Sequence, residues 1–105
     1  MNVFEKLQNI LKSDDEENLW TMFYEELQAN GYIDNEYRDK TMNKDISYEI
    51  QKIDTLTLAE VTAWLTWILR GERFCYGLFQ SYIDNGAIAA LLNRGSEILK
   101  ENDKN

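Results

Sequence analysis

The chain has 105 residues, 44% of them hydrophobic and thirteen aromatic, with a formal net charge of −8. That length and apolar content fit one domain, residues 1–105, folding around its own core. One cysteine, Cys75, and the lack of any histidine exclude an intramolecular disulfide and the common zinc and haem sites, so neither a metal nor a cofactor is expected.

The N-terminus has no basic stretch followed by an apolar run, so a secretory signal is not expected, and the lone thiol fits a reducing compartment. A cytoplasmic location is expected. Residues 2–12 space Phe4, Leu7 and Leu11 by three and four, which predicts a short amphipathic helix. Ser13 is positioned to cap the next helix, with Asp14 to Glu17 in its first turn, where negative charge suits the positive end of the dipole. Leu19, Trp20, Phe23, Tyr24 and Leu27 then form one stripe, and Asn30-Gly31 supplies a stop. Asp14, Asp15, Glu25 and Glu26 fall on the opposite, outward side.

The charge is unevenly placed. Residues 1–60 hold fourteen acids against six bases, residues 61–105 hold five of each, and Ser13 to Tyr37 carries eight acids and no base. Such a surface repels nucleic acid and anionic lipid and favours a basic protein partner. A solvated helix face that keeps the protein soluble accounts for the same acids. The face around Asp14, Asp15, Glu17, Glu25 and Glu26 is the candidate interaction surface on this side.

Residues 32–44 are polar and lack a period, so a loop or irregular connection is expected there. Asp34-Asn35-Glu36 does not extend into a calcium loop, because Arg38 stands where an oxygen ligand belongs and Asp39 where glycine belongs. Ile46, Ile50 and Ile53 fit a helix, although residues 46–50 also alternate as a strand would. Thr57-Leu58-Ala59-Glu60 is a capping box, which starts a helix. Apolar residues surround nearly the whole circumference from Leu58 to Leu69, marking a central helix at about 58–70 that is too short to cross a bilayer. Phe74, Leu78, Phe79, Tyr82 and Ile83 predict a further helix ending at Asn85-Gly86, and Ile88, Leu91, Leu92, Ile98 and Leu99 a last one. The fold expected is all-α, a bundle of four to five helices.

Between the central helix and its successor lies Arg70-Gly71-Glu72-Arg73-Phe74-Cys75-Tyr76-Gly77, two arginines and two glycines in the most apolar part of the chain. Arg70 in the last helical turn can bond the free carbonyls there, and Gly71 would permit a sharp turn. Gly77 would permit a close helix approach. Arg73 can pair with Glu72, Asp54 or Asp84. The alternative use of Arg70 and Arg73, with Arg94, is as an anion or small-ligand clamp. Cys75 reads as a small buried hydrophobe. Trp20, Trp64 and Trp67 read as core; Trp64 and Trp67 are three apart and cannot face one neighbour, leaving room for an exposed tryptophan that marks an interface or holds a homodimer.

The segment resembles a small bacterial domain family of unknown function whose hallmark is Arg-x-x-Arg-Phe-x-x-Gly after an apolar helix, here Arg70, Arg73-Phe74 and Gly77. The likeness extends over residues 54–99, through Leu-Thr-Leu at 56–58, Asn85-Gly86 and Leu91-Leu92. It implies an all-α fold and carries no reaction. Without a histidine, a Gly-x-Ser-x-Gly or a phosphate-cradling loop, no catalytic constellation is visible, and an enzyme is not expected. The function expected is a non-catalytic interaction domain of a bacterial or phage cytoplasmic protein. One rival is an acidic inhibitor that imitates nucleic acid; the other is the anion binder using Arg70 and Arg73.

Overall fold

The computed structural model describes residues 1–13 and 17–103. Those residues form seven α-helices and one 3₁₀ turn, with no strand among them, so the all-α expectation stands with more and shorter helices than four or five. In chain order the helices are α1 Val3–Leu11, α2 Leu19–Ala29, α3 Tyr37–Thr41, α4 Ile46–Gln51, α5 Leu58–Gly71, α6 Leu78–Asp84 and α7 Ala87–Asp103, with the 3₁₀ turn at Ile53–Thr55.

The capping box is formed: Thr57 Oγ1 accepts from the Glu60 amide at 3.2 Å and Glu60 Oε1 accepts from the Thr57 amide at 3.0 Å. From that start α5 runs through the centre of the fold, burying Val61 to Thr66 together with Ile68 and Leu69. Its buried hydroxyls are satisfied within the helix, because Thr62 donates to the Ala59 carbonyl and Thr66 to the Thr62 carbonyl. Trp64 is buried and Trp67 half-buried, and their rings meet edge to face at 5.5 Å, so neither stands exposed.

The first helix docks on the last through a shape match. Asn2 caps α1 by accepting from the Glu5 amide and donates to Ser96 Oγ on α7. Phe4 is fully buried against α7, where a Cβ on Gly95 would come within 2.8 Å of the ring. Only glycine leaves that space.

Ser13 does not cap α2: its hydroxyl donates back to the Ile10 carbonyl at 2.7 Å, and α2 starts at Leu19 with Asn18 before it and no acid in its first turn. Glu17 therefore precedes the helix; Asp14, Asp15 and Glu16 lie outside the described residues. The segment 32–44, expected as a loop, contains the one-turn helix α3 with Thr41 buried. Polar contacts rather than its own periodicity hold it: Thr66 Oγ1 of α5 accepts from the Asp34 amide just before it at 3.0 Å, and Lys40 within it pairs with Asp34 at 2.8 Å. The isoleucine segment is helical, resolving the helix and strand alternatives, and buries Glu49 as well as Ile46. Lys52 Nζ stands 3.0 Å from Glu49 and Lys44 Nζ 3.9 Å, so this buried carboxylate is charge-paired.

Candidate interaction surface

The predicted helix from Phe74 onward begins instead at Leu78, because residues 72–77 make a loop with its own internal hydrogen bonds. The Phe74 and Cys75 amides both donate to the Gly71 carbonyl, at 3.0 and 2.9 Å, and the Leu78 amide donates to Cys75. Gly77 then takes a left-handed φ of 89°. Glu72 braces the turn from inside: Oε2 accepts from the Gly77 amide at 2.9 Å and Oε1 from the Phe79 amide at 2.8 Å. One carboxylate thus satisfies two amides at the start of α6, where the positive end of the helix dipole also favours it.

The two glycines exchange the roles expected of them. Gly71 remains helical and permits a close approach, since a Cβ there would meet Leu78 Cδ2 at 2.5 Å, whereas Gly77 makes the turn and has open space around it. The carbonyl at the end of α5 likewise finds another donor, the Trp20 indole, which donates to the Leu69 oxygen at 2.9 Å. Arg70 turns to the 34–37 segment, donating to Asn35 Oδ1 and lying 5.7 Å from the Tyr37 ring centroid. Arg73 is exposed and makes no ion pair with Glu72, Asp54 or Asp84 among the described residues. Arg94 donates to the Leu56 carbonyl and pairs with Glu97 at 3.6 Å, which ties α7 to the approach into α5.

The braced loop presents its largest side chains to solvent. Phe74 is 87% exposed and Tyr76 99% exposed, and Cys75 between them is exposed too, not buried as its apolar neighbours implied. Beside the loop lies an open groove of about 890 Å³, with Leu19, Trp20, Phe79 and Tyr76 among its lining residues and the carboxylates Glu17 and Asp84 among its polar ones. Leu19 and Phe79 are anchored in the core, and Trp20 stacks on Tyr24 at 5.2 Å. Asp84 accepts from Gln80 at 2.9 Å.

Of the other sequence candidates, Glu25 is exposed on α2 and Glu26 is paired with Lys6 of α1 at 2.8 Å. Burial alone would raise the Asp34 carboxyl, but the Lys40 ammonium, the Glu36 amide and the charge of Arg70 outweigh it and hold the group below its ordinary range. Arg70 and Arg73 therefore serve different regions, and neither lines the large groove. The residues that sequence reasoning missed are Glu72, Phe74, Tyr76 and Asp84. Glu72 was hidden because its acceptor atoms reach amides five and seven residues ahead, beyond the three-residue spacing of a capping box.

These features define a small all-α domain built on a central apolar helix, with an aromatic loop and an acid-edged groove at the C-terminal end of that helix. The chain belongs to the family of unknown function DUF6508, whose model matches residues 8–101 and so extends the likeness beyond residues 54–99 into the N-terminal half. No curated protein and no solved structure matches it. Among the described residues no cluster of ligating side chains could hold a metal ion, and no helix is long and apolar enough to cross a membrane.

Proposed function

We propose that this chain is a non-catalytic interaction domain of a bacterial or phage cytoplasmic protein, and that it receives a protein partner at the α5–α6 loop and the groove beside it. The observation that carries this reading is the exposure of Phe74 and Tyr76, 87% and 99%, on a loop whose backbone is held by Glu72. Exposed aromatics grouped on a fixed frame are what contact surfaces use, since such rings supply much of the binding energy at little entropic cost. Glu17 and Asp84 at the groove suit a segment that brings a cation beside apolar side chains.

The nucleic-acid-mimic reading draws less support. Of the five described acids between Glu17 and Glu36, Glu26 and Asp34 are already neutralised by Lys6 and Lys40. The anion-clamp reading needs both guanidinium groups in one pocket, while Arg70 is committed to Asn35.

The test is affinity capture from the native host with the intact chain, the Phe74→Ala/Tyr76→Ala variant, and Tyr48→Ala as a control at another exposed aromatic. Specific capture lost in the double variant and kept in the control, with far-UV circular dichroism unchanged in both, is the expected result. Equal capture by all three chains contradicts the proposal.

A further inference from the structure

The groove is edged by carboxylates and asks for a cation next to an apolar side chain; the loop beside it carries Arg73 next to Phe74. We infer that the occupant is a second copy of this chain, the Arg73–Tyr76 tip of each protomer seated against the Glu17 and Asp84 edge of the other across a two-fold axis. This deepens the reading of the loop as a contact surface and rests on it.

Three observations support a self-complementary patch. Tip and groove are contiguous, since Tyr76 belongs to both, and a two-fold interface requires one patch to hold both halves of each contact. The charges are complementary: among the described residues no ion pair involves Arg73, Glu17 or Asp84, so one unmatched cation meets two unmatched anions on each side. The area is adequate. Aromatic side chains bury roughly 150–250 Å² each, so four rings per dimer remove roughly 600–1000 Å², and the surfaces they cover bring the total to roughly 1200–2000 Å², the span of stable interfaces.

The Glu72 brace also lowers the entropy lost on docking, because the tip is already ordered. Against association stands the net charge of −8 on each copy. At physiological ionic strength charges more than about 8 Å apart are largely screened, which leaves the local Arg73 and Asp84 contacts to decide the pairing.

Sedimentation velocity on the full chain, from micromolar to millimolar concentration, tests this. The expected result is a concentration-dependent monomer–dimer equilibrium. Arg73→Glu and Asp84→Arg should each weaken it at least about tenfold, as expected when a central contact becomes repulsive. The two substitutions combined should restore much of the loss. Both sites are exposed, and a cation in place of Asp84 suits the C-terminal end of α6, so folding is preserved, as far-UV circular dichroism verifies. Phe74→Ala supplies a charge-independent arm and should also abolish the dimer. A monomer at every concentration, a dimer indifferent to either reversal, or no recovery in the combined variant overturns the inference. A monomeric chain whose Phe74→Ala/Tyr76→Ala variant still loses a captured protein would leave the contact surface standing and remove only the second copy as its occupant.

Discussion

Two phenylalanines, each placed near a glycine, come to opposite ends in this fold. Phe4 is fully buried on α7 because Gly95 vacates the space its ring fills, while Phe74 is 87% exposed, three residues ahead of a glycine that turns the chain. At the α1–α7 seam the glycine serves a neighbouring side chain. At the α5–α6 loop it serves the backbone, and the aromatics are what the turn leaves outside. At these two positions the helical glycine admits a ring into the core and the left-handed one leaves a ring in solvent; Tyr32, which follows left-handed Gly31 yet packs against Phe4, shows that the surrounding helices and not the glycine alone decide the outcome.

That contrast is open to direct attack at the seam. Phe4→Ala should lower unfolding stability by about 3–5 kcal/mol in urea denaturation, since the ring fills a closed space between α1 and α7. Gly95→Val should cost about 1–3 kcal/mol by the same measurement, because its side chain must enter the volume of that ring. A loss of under about 0.5 kcal/mol in either would mean that the seam does not hold the fold.

On the loop side, Glu72→Ala should cost about 1–2 kcal/mol, comparable to removing a helix cap. Its sharper signature is in amide hydrogen exchange: the Gly77 and Phe79 amides should be protected in the wild type and lose that protection in the variant. Unchanged exchange would remove the brace from the account.

A smaller effect concerns pH. Asp34 is held below its ordinary value by Lys40 despite burial, and Glu60 is held down by the Thr57 amide with further help from the Thr57 hydroxyl. A lowered folded-state value means that the unfolded chain takes up protons first on acidification. The stabilisation is therefore complete above the unfolded values of 3.8 and 4.5 and is lost as pH falls through the lower folded values. Asp34→Asn should flatten the fall of the urea midpoint with acid; an unaltered profile would show that the Lys40 pair carries none of it.

The same distinction between local and distant partners explains what was legible in the sequence. The α5 start could be read because both members of its capping box are three residues apart, and its central place because apolar residues surround it. The α1 stripe was equally plain. One-turn α3 was not, because the segment is held from α5, where Thr66 accepts from the Asp34 amide, and neither that contact nor the pairing of Lys40 with Asp34 leaves an apolar period in residues 37–41. Arg70 and Arg73 mark the segment in which the proposed contact surface lies, although neither side chain lines the groove. Periodicity counted Phe74 as the first residue of a helix, and the Glu72 carboxylate that delays that helix to Leu78 acts across a left-handed turn. What a ring touches depends on that turn, and composition is silent about it.

The smallest effect predicted is the most telling. Urea denaturation of the Phe74→Ala/Tyr76→Ala variant, at a protein concentration low enough to keep the wild type monomeric, asks whether these rings belong to the fold or to a contact. Their exposure predicts a stability within about 0.5 kcal/mol of the wild type. A loss of about 2 kcal/mol or more would show the two aromatics packed within the monomer, and the α5–α6 loop would cease to be an interaction surface.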